Sequence, residues 1–130
     1  MATTFAVKRI YASPEEADGY RVLVDRLWPR GMSRERAAID AWNKDVTPSP
    51  ALRDRWHANR EAFDEFAARY RIELAESGAI DALLAATRDR PRVTLVYAYR
   101  DPQRNHALVL LEEIRRVQRR AEEAGDLGAG

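Results

Sequence analysis

The sequence predicts an α/β fold: a single compact domain with a small, mostly parallel four-stranded sheet and helices packed on its faces. Two apolar runs carry the sheet. Val22-Leu23-Val24 and Val93-Thr94-Leu95-Val96-Tyr97-Ala98-Tyr99 hold hardly a polar side chain, the pattern of strands covered on both faces. Elsewhere apolar residues recur at helical spacing. At 130 residues the chain suits one domain with a real core. We read it as residues 1–124 followed by a disordered tail, 125–130.

The first strand is read as Phe5 to Tyr11, half buried. The link Ala12–Gly19 carries the loop signals Ser13-Pro14 and Asp18-Gly19. It is short for a helical crossover, which usually takes a dozen residues or more. Strand one therefore runs antiparallel to strand two, or returns through an unusually tight parallel crossover; the sequence leaves both open. The second strand ends in Asp25-Arg26-Leu27-Trp28-Pro29-Arg30-Gly31, where proline and glycine stop it. Ser33 can cap a short helix through Ala38, and Ile39–Lys44 gives a weak strand signal.

Ser49 followed by Pro50 starts a helix to about Trp56: the hydroxyl caps and proline takes the first helical position. A longer helix from near Asn59 aligns Phe63, Phe66, Ala67, Tyr70 and Leu74 as a core face. Gly78 suits the left-handed position after it. A further helix, Ala79–Arg88, turns Ile80, Leu83 and Leu84 inward. After the second apolar run, Asp101 reads as a cap with Pro102 at the first helical position. The last helix then buries Ala107, Leu110, Leu111, Ile114 and Val117, while Glu112–Arg116 and Arg119–Glu123 pair on its solvated side.

Composition narrows the function. Twenty-two basic residues balance 21 acidic ones, a net charge of +1, so the basic excess of a nucleic-acid binder is missing. Only Lys8 and Lys44 are lysines; every other basic residue is arginine. Cysteine is absent, which excludes a disulfide framework and a thiolate nucleophile. No signal peptide is visible, and no apolar run approaches the roughly 20 residues that span a bilayer. These features lead us to expect a cytoplasmic protein that does not enter the membrane.

If strands two, three and four are parallel, three polar groups meet at one end of the sheet, where α/β domains bind ligands. They are Asp25, Arg26, Trp28 and Arg30; Lys44, Thr47 and Ser49; and Arg100, Asp101, Asn105 and His106. Arginine forks match carboxylate and phosphate oxygens, and helix amides favour anions. The expected partner is a small anionic molecule. Asp101 argues against this, because a carboxylate capping the last helix occupies the place an anion would take. His106 is the candidate acid or base, with Asp25 to orient it; a purely structural packing of the ring is its alternative. Asn105 could hold a substrate oxygen without titrating. His57 reads as structural or exposed, and Ser49 as a cap rather than a nucleophile. Two distant histidines without matching carboxylates give no metal site, and no glycine-rich phosphate loop or other cofactor motif is present.

These motifs resemble a known family. Asp18 to Gly31, Trp42-Asn43-Lys44-Asp45-Val46-Thr47-Pro48-Ser49 and Asn105-His106-Ala107 look like the YeaO-like proteins, small bacterial proteins within a domain-of-unknown-function superfamily. The resemblance runs from about Val7 to Ile114. It implies a compact, mostly parallel α/β domain and supplies no activity. It carries onto Asp25, Arg26, Trp28, Pro29, Arg30, Gly31, Trp42, Lys44, Pro48, Ser49, Asn105 and His106. Thr47 departs from the alanine expected there. The wider superfamily shows a Cys-His-Arg turn where this chain has Asn105-His106-Ala107, so a chemistry that depends on that cysteine is closed to it. Two functions follow as expectations: an enzyme with His106 as acid or base and Arg26, Arg30 and Lys44 as anion clamps, or a non-catalytic ligand-binding domain using the same pocket.

Overall fold

The computed structural model describes the backbone of residues 2–129 and the side chains of residues 2–125. Four parallel strands form one sheet in the order β1-β4-β2-β3: β1 (Thr4–Arg9), β2 (Tyr20–Leu23), β3 (Ala41–Trp42) and β4 (Arg92–Tyr97). The helices are α1 (Arg34–Ala37), α2 (Pro50–Ala58), α3 (Phe63–Ser77), α4 (Ala79–Ala86) and α5 (His106–Ala129). The expected α/β class is present.

Alternation along β4 explains the layers. Val93, Leu95 and Tyr97 join Phe5, Val22 and Val24 in the main core, packed with side chains from α2 to α5. Val96 points to the other face, with Leu23, Ile10, Met32 and Ala37 under α1. Both faces of the central strands are thus covered, which is why the apolar runs do not alternate. The main core closes around Tyr70, whose hydroxyl donates to the Val46 carbonyl.

The first strand runs parallel: β1 and β2 flank β4 on opposite sides. The connection holds ten residues, including a 3-10 turn over Glu16–Asp18, and crosses the face of β4. Polar side chains fasten it. Thr94 Oγ1 donates to the Asp18 carbonyl at 2.6 Å. The Asp18 carboxylate accepts from Arg21 Nη1 at 2.7 Å and from Lys8 Nζ at 3.1 Å. Arg21, only 3% exposed, also donates to the carbonyls of Ala37 and Ala38. One guanidinium therefore ties the crossover to the end of α1. Gly19 lets the chain leave this knot at φ +65°, where a Cβ would stand 2.5 Å from the Arg92 carbonyl oxygen.

Other expectations shift. α2 runs two residues past Trp56, and α3 starts at Phe63 rather than near Asn59. Asp101 does not cap the last helix. Its Oδ1 accepts from the Gln103 and Arg104 amides in a turn of its own. Asn105 caps α5 instead, accepting the Leu108 amide at 2.9 Å. On α5, Arg116 pairs with Glu113 at 2.6 Å, not with Glu112, which reaches Arg71 on α3. Glu113 is 6% exposed and needs the nearer charge. Helix α5 extends to Ala129, and Gly130, the end of the expected tail, lies outside the described residues. Among the described residues no helix is long and apolar enough to cross a membrane.

The Asp18 knot makes stability depend on acid. Burial pushes the Asp18 carboxyl up, but the Glu15 backbone, Lys8 and Arg21 together outweigh it and hold the group below the usual value. A depressed carboxyl stabilises the fold above its unfolded pKa of about 4 and loses that contribution as pH falls through the folded value. Asp18→Ala should cost about 3 kcal/mol in urea unfolding at neutral pH, because it strands the buried Arg21. The deficit relative to wild type should shrink below about pH 4; a deficit that is constant with pH would refute the role assigned to this charge.

Candidate functional site

The chain leaving β2 must turn without losing the backbone groups it has paired. Val24 still donates to the Val96 carbonyl at 3.0 Å. A parallel ladder would next send the Ala98 amide to the Val24 carbonyl. Two side chains take over instead. The Ala98 amide donates to Asp25 Oδ2 at 2.8 Å, and the Val24 carbonyl accepts from His106 Nε2 at 2.9 Å. The same Nε2 lies 3.0 Å from Asp25 Oδ1. Both of its partners are acceptors, so Nε2 carries the ring proton. Trp42 Nε1 donates to the Asp25 carbonyl at 2.6 Å, which adds β3 to the junction.

Above this junction lies a cleft of about 310 Å³. The turn after β2 lines it with Asp25, Arg26, Leu27, Trp28, Pro29 and Arg30. The approach to α2 adds Thr47 and Pro48, α2 adds Arg53, Trp56 and His57, and the chain after β4 adds Ala98, Tyr99 and His106. The expected position at the carboxyl ends of the strands is where the cleft stands. Its cations are Arg26, Arg30 and Arg53, and Asp25 is the only carboxylate in its lining.

Two donors in this wall are unused. Arg26 Nη2 makes one long hydrogen bond, 3.4 Å to the Pro48 carbonyl, while its Nε is buried with no partner among the described residues. Trp56 Nε1 is likewise buried and unpartnered. The Trp56 ring is held by Phe66 and Tyr99, whose ring centres lie 4.3 and 4.7 Å away. Orphaned buried donors are rare, and each costs about 1–3 kcal/mol. His57 lines the cleft with much of its surface exposed; partial burial of the ring first, then Arg53 and Arg60, push its pKa down.

The structure sorts the residues singled out in the sequence. Asp25, Arg26, Trp28, Arg30 and His106 line the cleft. Trp28 donates from Nε1 to the Met32 carbonyl and meets Trp42 edge-on at 5.5 Å. Lys44 stands outside, exposed, with Nζ 4.3 Å from the centre of the Trp42 ring. Ser49 caps α2 and donates to Glu73 at 2.6 Å, also away from the cleft. Asn105 is fully buried, with its amide spent on Leu108 and Asp101. Asp101 is spent on its own turn. Arg53, Trp56, His57 and Tyr99 were not singled out for the site. The signal for three of them was present, since Arg53, Trp56 and His57 share one helical face by their i, i+3, i+4 spacing. Among the described residues no cluster of histidine and acidic side chains could hold a metal ion.

Comparison with known proteins adds a family. The profile described as the inactive DUF488-N3 subclade matches residues 4–128. The uncharacterised protein YeaO of Escherichia coli K12 is 41% identical over 108 residues, 83% of this chain and 94% of that protein. An uncharacterised protein of Mycobacterium tuberculosis H37Rv, Rv3073c, is 44% identical over 110 residues, 85% of this chain and 92% of the relative. No solved structure matches.

His106→Leu removes the proton shared by Val24 and Asp25. We expect a loss of about 2 kcal/mol in the ligand-free protein, because two buried acceptors lose their donor. A chemical melt unchanged within error would show that the ring does not hold the junction.

Proposed function

We propose that this chain, which belongs to the YeaO-like family and to the inactive DUF488-N3 subclade, binds a small anionic ligand in the cleft without converting it. The observation that carries this reading is the cleft at the carboxyl ends of the strands, whose lining sets Arg26, Arg30 and Arg53 against one carboxylate, Asp25. An oxyanion offers these guanidinium forks an acceptor. The cleft, at about 310 Å³, is of the size that encloses small molecules.

Binding is better supported than turnover. As a general acid, His106 would need its proton-bearing nitrogen free to serve a ligand. Here Nε2 faces a main-chain carbonyl and the Asp25 carboxylate. The family description carries the word inactive, and the chain has no cysteine to serve as a nucleophile. Lys44, expected as a clamp, has no place in this reading.

Inorganic phosphate at about ten times its dissociation constant should raise the melting temperature by about 5 °C, through mass action on the folded state. Arg26→Gln should remove most of that rise. Lys44→Ala should leave it intact. A full phosphate response in the Arg26 variant would take this residue out of the site.

A further inference from the structure

We infer that Asp25 makes the cleft selective for an oxyanion that keeps one proton, a phosphate or phosphomonoester, over one that has none. The inference rests on the anion-binding reading above. An unpaired carboxylate in an anion site would repel its ligand, and guanidinium groups alone would hold a fully deprotonated ion better. Asp25 nevertheless lines the cleft, with 14% of its side chain exposed. A carboxylate offers about four acceptor positions, and the fold uses two of them: Oδ2 takes the Ala98 amide and Oδ1 takes His106 Nε2. The remaining capacity can accept a hydrogen bond from a ligand hydroxyl. A P–OH group turns the repulsion into a charge-assisted bond. Sulfate, of the same shape and charge as hydrogen phosphate above neutral pH, has no proton to give. Arginine forks and one carboxylate acceptor in the same lining thus describe a protonated oxyanion.

Calorimetric titration of the full chain with sodium phosphate and sodium sulfate, at equal ionic strength and about pH 7.5, tests this. Phosphate should bind at least about tenfold more tightly, the value of one charge-assisted hydrogen bond. Asp25→Asn, whose amide can donate to sulfate, should bring the ratio to about one. Because that variant also disturbs the Ala98 and His106 bonds, the wild-type ratio decides the matter if it does not fold. Sulfate binding as tightly as phosphate overturns this inference and leaves the anion site standing. No binding of either ion removes both. Phenyl phosphate at about pH 5.5, where a monoester keeps its proton, separates the sources. If it binds more tightly than phosphate, an organic monoester also covers Leu27, which is 59% exposed. If it binds more weakly, the free ion is the ligand. Either result supports the proposal so long as sulfate stays weaker.

Discussion

The domain depends on what Asp25 does with the end of the sheet. Parallel strands must separate at their carboxyl ends to leave room for a ligand, and separation strands backbone donors and acceptors. Here the Ala98 amide and the Val24 carbonyl would face each other in the next rung. Asp25 takes the first and His106 takes the second, and the two side chains bond each other. The rung is replaced by a side-chain bridge, and β2 and β4 diverge without an unpaired group. Because His106 opens α5 and Trp42 belongs to β3, one residue fixes the mutual positions of three strands and a helix.

This explains which parts of the molecule were legible in the sequence. The central strands were, because burial on both faces leaves a continuous apolar run. The carboxyl-end location was too, because proline, glycine and clustered arginines follow β2 directly. The direction of β1 was not. A ten-residue parallel connection is unfavourable in general, and it is possible here through the Asp18–Arg21–Lys8 knot, whose members lie on three different elements. Pairings across elements leave no periodic trace. The start of α5 was misplaced for a similar reason. Asp101-Pro102 is a good helix signal, yet Asn105 is the residue buried beneath the helix end, and burial decided between two competent caps.

The membership of the site was half legible. Residues directly after β2 were found, since the strand carries them there; Tyr99 was read as part of the apolar strand run. Those brought by α2 were missed, because where a helix sits over a sheet depends on tertiary packing. Trp56 lies between Phe66 on α3 and Tyr99 after β4, and that column brings Arg53 and His57 to the cleft with it. The same docking explains the residues that fell outside. Ser49 is held by Glu73 of α3, behind the first turn of α2. Lys44 follows a strand only two residues long and folds back over Trp42.

The cleft therefore has a floor and a wall that differ in kind. Asp25, His106 and Trp28 are bonded within the protein, and substituting them costs stability before it costs affinity. Arg26 and Trp56 carry donors that the fold leaves unpaired at a cost in folding energy. The floor's carboxylate is in turn the one floor group with acceptor capacity left over. On the proposed anion-binding reading, structural saturation of the floor limits what the wall can hold: an anion facing Arg26 must also tolerate Asp25, and one that donates a hydrogen bond does so without repulsion.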